Sequence, residues 1–180
     1  MSNRPYKERK AEFYSIVEKA RAMGIPHPEV IAAQWAVESD WGGKPTGKNN
    51  YFGIKAGNGD PNNDVPGTVS WTHEVVNGKP QRVQQKFADY ETLDDAIRAR
   101  GAFTATPGGR YEQAGYHTAQ SPAQAIQALQ KAGYATSPSY NKLLIDSMRG
   151  MGVDPNKVYE ANRPKPQKDE YAAAFNVPQS

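Results

Sequence analysis

Glu38 is the residue whose type and setting are best suited to acid–base chemistry. It ends the run Ile31-Ala-Ala-Gln-Trp-Ala-Val-Glu38, which Ser39-Asp-Trp-Gly-Gly43 follows. The run reads as a helix. Pro28 suits its first turn, Glu29 suits the positive end of its dipole, and the glycine pair stops it. Ile31, Gln34, Trp35 and Glu38 recur at i, i+3, i+4 and i+7 and share one face. That face is expected to point inward, with the carboxyl at its C-terminal edge beside an indole. Partial desolvation and the negative end of the helix dipole would both raise the pKa there. A carboxylic acid that keeps its proton near neutral pH can serve as the general acid of glycosidic cleavage. The competing expectation is a solvent-facing glutamate on the last turn of a core helix.

Glycoside hydrolysis commonly uses a second carboxylate, to activate water or to attack the sugar. Asp60, Asp64, Glu74 and Asp89 are the candidates. Strand alternation puts Glu74 with Thr68, Ser70 and Thr72, opposite a face of Val69, Trp71, His73 and Val75. Other chemistries have less support. His73-Glu74-Val-Val-Asn77 begins like a zinc helix motif but has Asn77 where the second histidine belongs, and His27 and His117 are distant in sequence. Ser39 lacks the glycines of a nucleophile elbow. With no cysteine there is no thiol nucleophile, thiolate metal site or disulfide framework. No metal or other cofactor is expected. Flat rings that could stack on sugars are Trp41, Tyr51, Trp71, Tyr111, Tyr134 and Tyr140, whereas Trp35 and Phe52 read as core. Tyr134 follows a helix-ending Gly133 and sits in a loop, a common place for functional aromatics.

The elements that must position these groups follow from pattern. Residues 6–23 carry a helical stripe of Phe13, Ile16, Val17, Ala20 and Met23, closed by Gly24. After the Glu38 helix, residues 42–67 are rich in Gly, Asn, Asp and Pro and read as loop around a small apolar island, Tyr51-Phe-Gly-Ile-Lys55. Residues 68–76 and 81–87 read as strands joined through Asn77-Gly78, with Pro80 marking an edge element. Thr92-x-x-Asp95 opens a helix to Phe103, which Pro107-Gly-Gly-Arg-Tyr111 breaks. Ser121-Pro-Ala-Gln124 opens another to Gly133, and residues 139–149 form a last one. The expected fold class is α+β, mainly α: a helical lobe and a small β-hairpin lobe (about 56–90) flanking a cleft. Residues 1–160 form the domain. Residues 161–180 read as a polar, proline-containing tail with a helical turn around Tyr171–Phe175.

Bulk properties fit this picture. The hydrophobic fraction of 37% is low, and thirty residues are Gly or Pro. Such a chain is loop-rich with a modest core. A net charge of +3 is too small to argue for nucleic acid and suits an acidic polymer. No run approaches the ~18 apolar residues a membrane span needs, and Met1–Lys10 has no apolar segment of a signal peptide.

Several motifs together resemble the glucosaminidase family of bacterial and phage endo-β-N-acetylglucosaminidases, which includes the flagellar rod-associated muramidase domain. Ala33-Gln-Trp-Ala-Val-Glu-Ser-Asp-Trp-Gly42 resembles its A-Q-x-x-x-E-S-x-W-G segment, and Asn50-Tyr-Phe-Gly-Ile-Lys55 its N-L-F-G-I-K. Thr72-His-Glu74 before Asn77-Gly78 resembles its T-x-E hairpin, Phe87-Ala-Asp-Tyr90 its F-x-x-Y, and Arg110-Tyr111 its R-Y. Gly133-Tyr-Ala-Thr-Ser-Pro-Ser-Tyr140 resembles its G-Y-A-T-D-P-x-Y. The resemblance implies a lysozyme-like fold and cleavage of the β-1,4 glycan of peptidoglycan. It implies Glu38 as general acid, Glu74 as the second carboxylate on a mobile hairpin, and Tyr134 as the site tyrosine. Tyr134, Tyr140, Trp41, Tyr51, Trp71 and Asn50 form the expected substrate-binding set. Two departures stand out. Ser137 replaces the usual Asp, and Asp40 replaces a usual Gly, adding a charge expected to raise the Glu38 pKa. The expected partner is a peptidoglycan strand rather than nucleic acid or membrane. A phage origin is also expected, with delivery to the wall in a virion or by holin release and docking to a larger assembly through 161–180. A lytic transglycosylase using Glu38 alone and an inactive wall-binding or virion module are the alternatives.

Overall fold

The computed structural model describes residues 2–135 and 137–160. In chain order the elements are α1 (Tyr6–Ala22), α2 (Pro28–Glu38), β1 (Thr68–Val76), β2 (Lys79–Phe87), α3 (Leu93–Phe103), α4 (Arg110–Gln113), α5 (Pro122–Lys131) and α6 (Tyr140–Gly150). Mostly helical, with one two-stranded antiparallel sheet, this is the expected fold class. The tail 161–180 and its helical turn around Tyr171–Phe175 lie outside the described residues. Among the described residues no helix is long and apolar enough to cross a membrane.

α2 is the central element. Every residue from Val30 to Ala36 is buried, so this helix has no solvent face. The one-face reading of Ile31, Gln34, Trp35 and Glu38 is too narrow. Ala32, Ala33 and Ala36 are small enough for neighbours to close on all sides, and α1, α5 and α6 pack on it. Trp35 is fully buried, as expected, within a core that also holds Phe13, Ile16, Ile97, Leu129, Leu144 and Met148.

Local signals set most boundaries. The Thr92 hydroxyl accepts from the Asp95 amide (3.1 Å), and Ser121 from the Gln124 amide (3.2 Å). Gln124 reaches back to the Gln120 amide (2.8 Å), one residue before the cap. Gly133 closes α5 with φ +79° while the Tyr134 amide bonds back to the Leu129 carbonyl (3.0 Å). Two boundaries differ from expectation. β2 starts at Lys79 and includes Pro80, which a two-stranded ribbon tolerates because each strand has a free edge. Arg110 and Tyr111, read as part of a break, open the short α4 instead. Gly109 is its N-cap, and the Glu112 carboxylate accepts from the Gly108 amide.

The hairpin turns at Asn77-Gly78, both with positive φ, and pairs Glu74 with Gln81 and Thr72 with Val83. Its polar face (Ser70, Thr72, Glu74) is half-buried toward the molecule, and its apolar face is the exposed one. Trp71 is 56% exposed there.

Candidate active site

Glu38 is the last residue of α2, and the chain turns sharply beyond it. Asp40, Trp41 and Gly42 all have positive φ (49°, 59° and 79°). Two non-glycine residues in this region mark a turn held by its surroundings. Ser39 anchors it, donating to the Trp35 carbonyl (2.5 Å) and accepting from the Gly42 amide (2.8 Å). Gly42 is required twice over, since a Cβ there would stand 2.9 Å from the Trp35 ring in a left-handed conformation. This turn fixes the direction in which Glu38 leaves the helix.

The Glu38 carboxyl has a pKa raised above the usual carboxylate value, chiefly because burial strips its hydration. A hydrogen bond from the Tyr140 hydroxyl opposes the rise, the charge of Glu74 adds to it, and the charge of Arg100 lowers it. The carboxylate acting on Glu38 is therefore Glu74 and not Asp40. Asp40 turns instead toward Lys44 (3.8 Å). Burial also pushes the Tyr140 hydroxyl well above its ordinary value and the Tyr134 hydroxyl up to about 12. Both phenols stay protonated and remain donors near the acid.

Glu74 comes from β1, on the half-buried polar face. Its Oε1 pairs with Lys55 Nζ at 3.4 Å. Lys55 belongs to the loop that packs on the acid from the other side, where a Cβ on Gly53 (φ +65°) would lie 3.1 Å from Glu38 Oε2. The apolar island thus places a glycine against one carboxylate and a lysine against the other. Asn50, expected to bind substrate, does different work. It is fully buried, donating to the Ile54 and Ala88 carbonyls (2.8 and 2.9 Å) and accepting from the Phe52 and Ile54 amides (3.3 and 3.2 Å). Both its donors and its oxygen are spent on shaping the loop. Asp89 is spent likewise, accepting from the Lys48 amide and the Thr68 hydroxyl, each at 2.7 Å.

Aromatic rings continue from the acid. Tyr140 stacks on Tyr134 (6.1 Å, 17°), and Tyr134 meets Tyr111 (6.1 Å) and Phe103 (5.6 Å) edge-on. Phe103 is 46% exposed at the outer end of this row. Tyr134 and Tyr140 therefore gather at Glu38, while Trp71 and Trp41 make other contacts. Trp71 lies on the opposite hairpin face from Glu74, with the Arg82 guanidinium 4.6 Å over its ring. Trp41 sits against Trp35 (6.0 Å) and under Arg9 of α1 (4.9 Å). Tyr51 is half-buried against the core. The sequence reading missed Gln34, Lys55, Phe103 and Arg100. Only an arginine on the face that Ala96, Ile97 and Gly101 share could have signalled Arg100, which is fully buried.

A helical lobe around a buried central helix, with a β-hairpin set across its C-terminal glutamate, is the lysozyme-like arrangement. Comparison with known proteins places it more closely. The family model for glucosaminidase, described as mannosyl-glycoprotein endo-beta-N-acetylglucosaminidase, matches residues 14–152, and the chain belongs to this family. It is 38% identical over 154 residues to peptidoglycan hydrolase FlgJ of Escherichia coli (strain K12), covering 77% of this chain and 45% of that protein. It is 32% identical over 122 residues to exo-glucosaminidase LytG of Bacillus subtilis (strain 168), covering 63% of this chain and 40% of that protein. The chain thus spans less than half the length of these curated relatives. The C-terminally truncated glycoside hydrolase domain of Salmonella typhimurium FlgJ superposes with a TM-score of 0.58 at 29% identity, over 82% of this chain and 98% of that one.

Proposed function

We propose that this chain hydrolyses the β-1,4 glycan backbone of peptidoglycan, cutting after N-acetylglucosamine as an endo-β-N-acetylglucosaminidase. One observation carries the reading: a desolvated Glu38, its pKa raised above the usual carboxylate value, lies where it feels the charge of a second carboxylate, Glu74, on the hairpin. In this reading Glu38 protonates the departing glycosidic oxygen as the C1–O bond breaks, and the cationic sugar is quenched by water. Glu74 takes the proton from that water, or else stabilises the cation while the acetamido oxygen of the sugar attacks C1. Tyr140 donates to the acid, Tyr134 stacks on Tyr140, and the row of rings out to Phe103 offers apolar faces to the glycan. The names of FlgJ and LytG support the substrate class and leave endo and exo cleavage as alternatives within it.

A second reading has one observation in its favour. Lys55 already engages Glu74 at 3.4 Å. If that pair persists with substrate bound, Glu38 acts alone and the product is a 1,6-anhydro sugar, as in a lytic transglycosylase. Mass spectrometry of a digest of purified peptidoglycan separates the two. Hydrolysis adds one water per cut and leaves a reducible N-acetylglucosamine end. Anhydro ends would replace the proposal with the transglycosylase reading, and binding without any product would reduce the chain to a wall-binding module.

A further inference from the structure

Arg100 is fully buried beneath the active site and makes a directed set of contacts. Its Nε donates to Gln34 Oε1 at 2.5 Å, one Nη to the Thr104 hydroxyl at 3.2 Å and the other to the Tyr116 hydroxyl at 3.4 Å. Its guanidinium lies 5.2 Å from the Tyr134 ring centre. Gln34 is also fully buried, and its Nε2 donates to the Tyr140 hydroxyl at 3.1 Å. Tyr140 in turn bonds Glu38.

We propose that Arg100 and Gln34 are positioning residues that aim the hydroxyl proton of Tyr140 at the Glu38 carboxyl, holding the acid in register for proton transfer. The proposal rests on the reading of Glu38 as the acid. Its argument is the polarity of the chain. Arginine has donors only, so the group it meets must present an acceptor. Gln34 therefore turns its oxygen to Arg100 and its NH2 to Tyr140. The reversed amide would face donors with donors in a site closed to water. A phenol has one proton. With its oxygen accepting from Gln34, that proton goes to Glu38.

The consequence falls on the step after proton donation. Glu38 is then a carboxylate in a desolvated site, and the Tyr140 donor stabilises it. Burial loads the proton, and the relay eases its release. The other groups acting on Glu38 are Glu74 of β1, paired to Lys55, the Tyr134 hydroxyl of the loop after α5, and the Arg100 charge itself.

Gln34→Glu tests this. The substitution keeps the shape and the acceptor facing Arg100 but removes the N–H offered to Tyr140, whose proton then turns to the new carboxylate. The titration of the Glu38 carboxyl, followed by NMR on side-chain-labelled protein, should move to higher pH. The alkaline limb of kcat should move with it. Turnover at neutral pH should fall about tenfold, part of the roughly 100- to 10,000-fold that a positioned acid supplies, with KM little changed. The new charge alone would also repel a proton loss from Glu38, so the decisive comparison is made in a Tyr140→Phe background. There the effect of Gln34→Glu should shrink markedly. Full additivity, or an unmoved Glu38 titration in Gln34→Glu, overturns the relay. If Gln34→Glu does not fold, the wild-type Arg100 Nε–H resonance should shift in Tyr140→Phe, and an indifferent resonance overturns it equally. The titrations need no activity. A wild-type protein that cuts no glycan would defeat the functional reading while leaving the relay measurable.

Discussion

At the scale of residues, two glutamates of the same type are separated by environment. Glu38 is desolvated at the end of a buried helix, and Glu74 is held by Lys55 on a half-exposed strand. The raised pKa of Glu38 has a cost in stability with a definite sign. Between the ordinary carboxylate pKa and the raised one, the unfolded chain has released its proton and the folded chain has not. Stability therefore falls as pH rises through that window and then levels off. Glu38→Gln removes this loss, so it should raise the melting temperature at pH 7 and leave it unchanged near pH 3. Melts at the two pH values check this, and equal melting at both would contradict a desolvated acid. Glu38 was legible because its type, the helix pattern and the glycine stop all converge on one position. Arg100 and Gln34 were not, because their bond joins residues 66 apart in sequence. The loop-shaping bonds of Asn50 were not legible either, because they run to backbone groups that no side-chain pattern marks.

At the scale of elements, the site depends on a helix packed from all sides and a hairpin packed from one. Trp35 is the largest side chain inside that packing, and its ring also limits the Gly42 turn. Trp35→Ala should cost roughly 3–5 kcal/mol of folding free energy, read from denaturant unfolding. An unchanged midpoint would contradict the buried-helix account. Seven of the eight elements could be read from caps, glycine stops and periodicity. The four-residue α4 could not, since one turn carries no period. Alternation gave the two faces of β1 correctly but could not say which points inward. The inward face is the polar one, because it covers a cleft rather than a core. That is why Glu74 lies on the half-buried face of the hairpin and Trp71 on the exposed one.

At the scale of the whole molecule, one core ties the helical elements together, and the last described segment closes over it. The Tyr159 hydroxyl bonds His27 Nδ1 (2.7 Å) at the start of α2, and the Tyr159 amide bonds the Gln120 carbonyl (2.8 Å). A chain ending at residue 160 keeps these ties. It should unfold cooperatively and retain activity on soluble glycan fragments. Loss of cooperative unfolding would show that 161–180 belongs to the domain. The lobed architecture followed from element order, since a hairpin too small to stand alone must project from the helices. The central claim is that Glu38 is the proton donor for glycan cleavage. Release of reducing ends from purified peptidoglycan by wild type and Glu38→Gln, at equal concentration and confirmed fold, tests it most directly. The substitution keeps size and removes the proton, so the rate should fall by about 100- to 10,000-fold. A Glu38→Gln protein that digests peptidoglycan at close to the wild-type rate would contradict the claim.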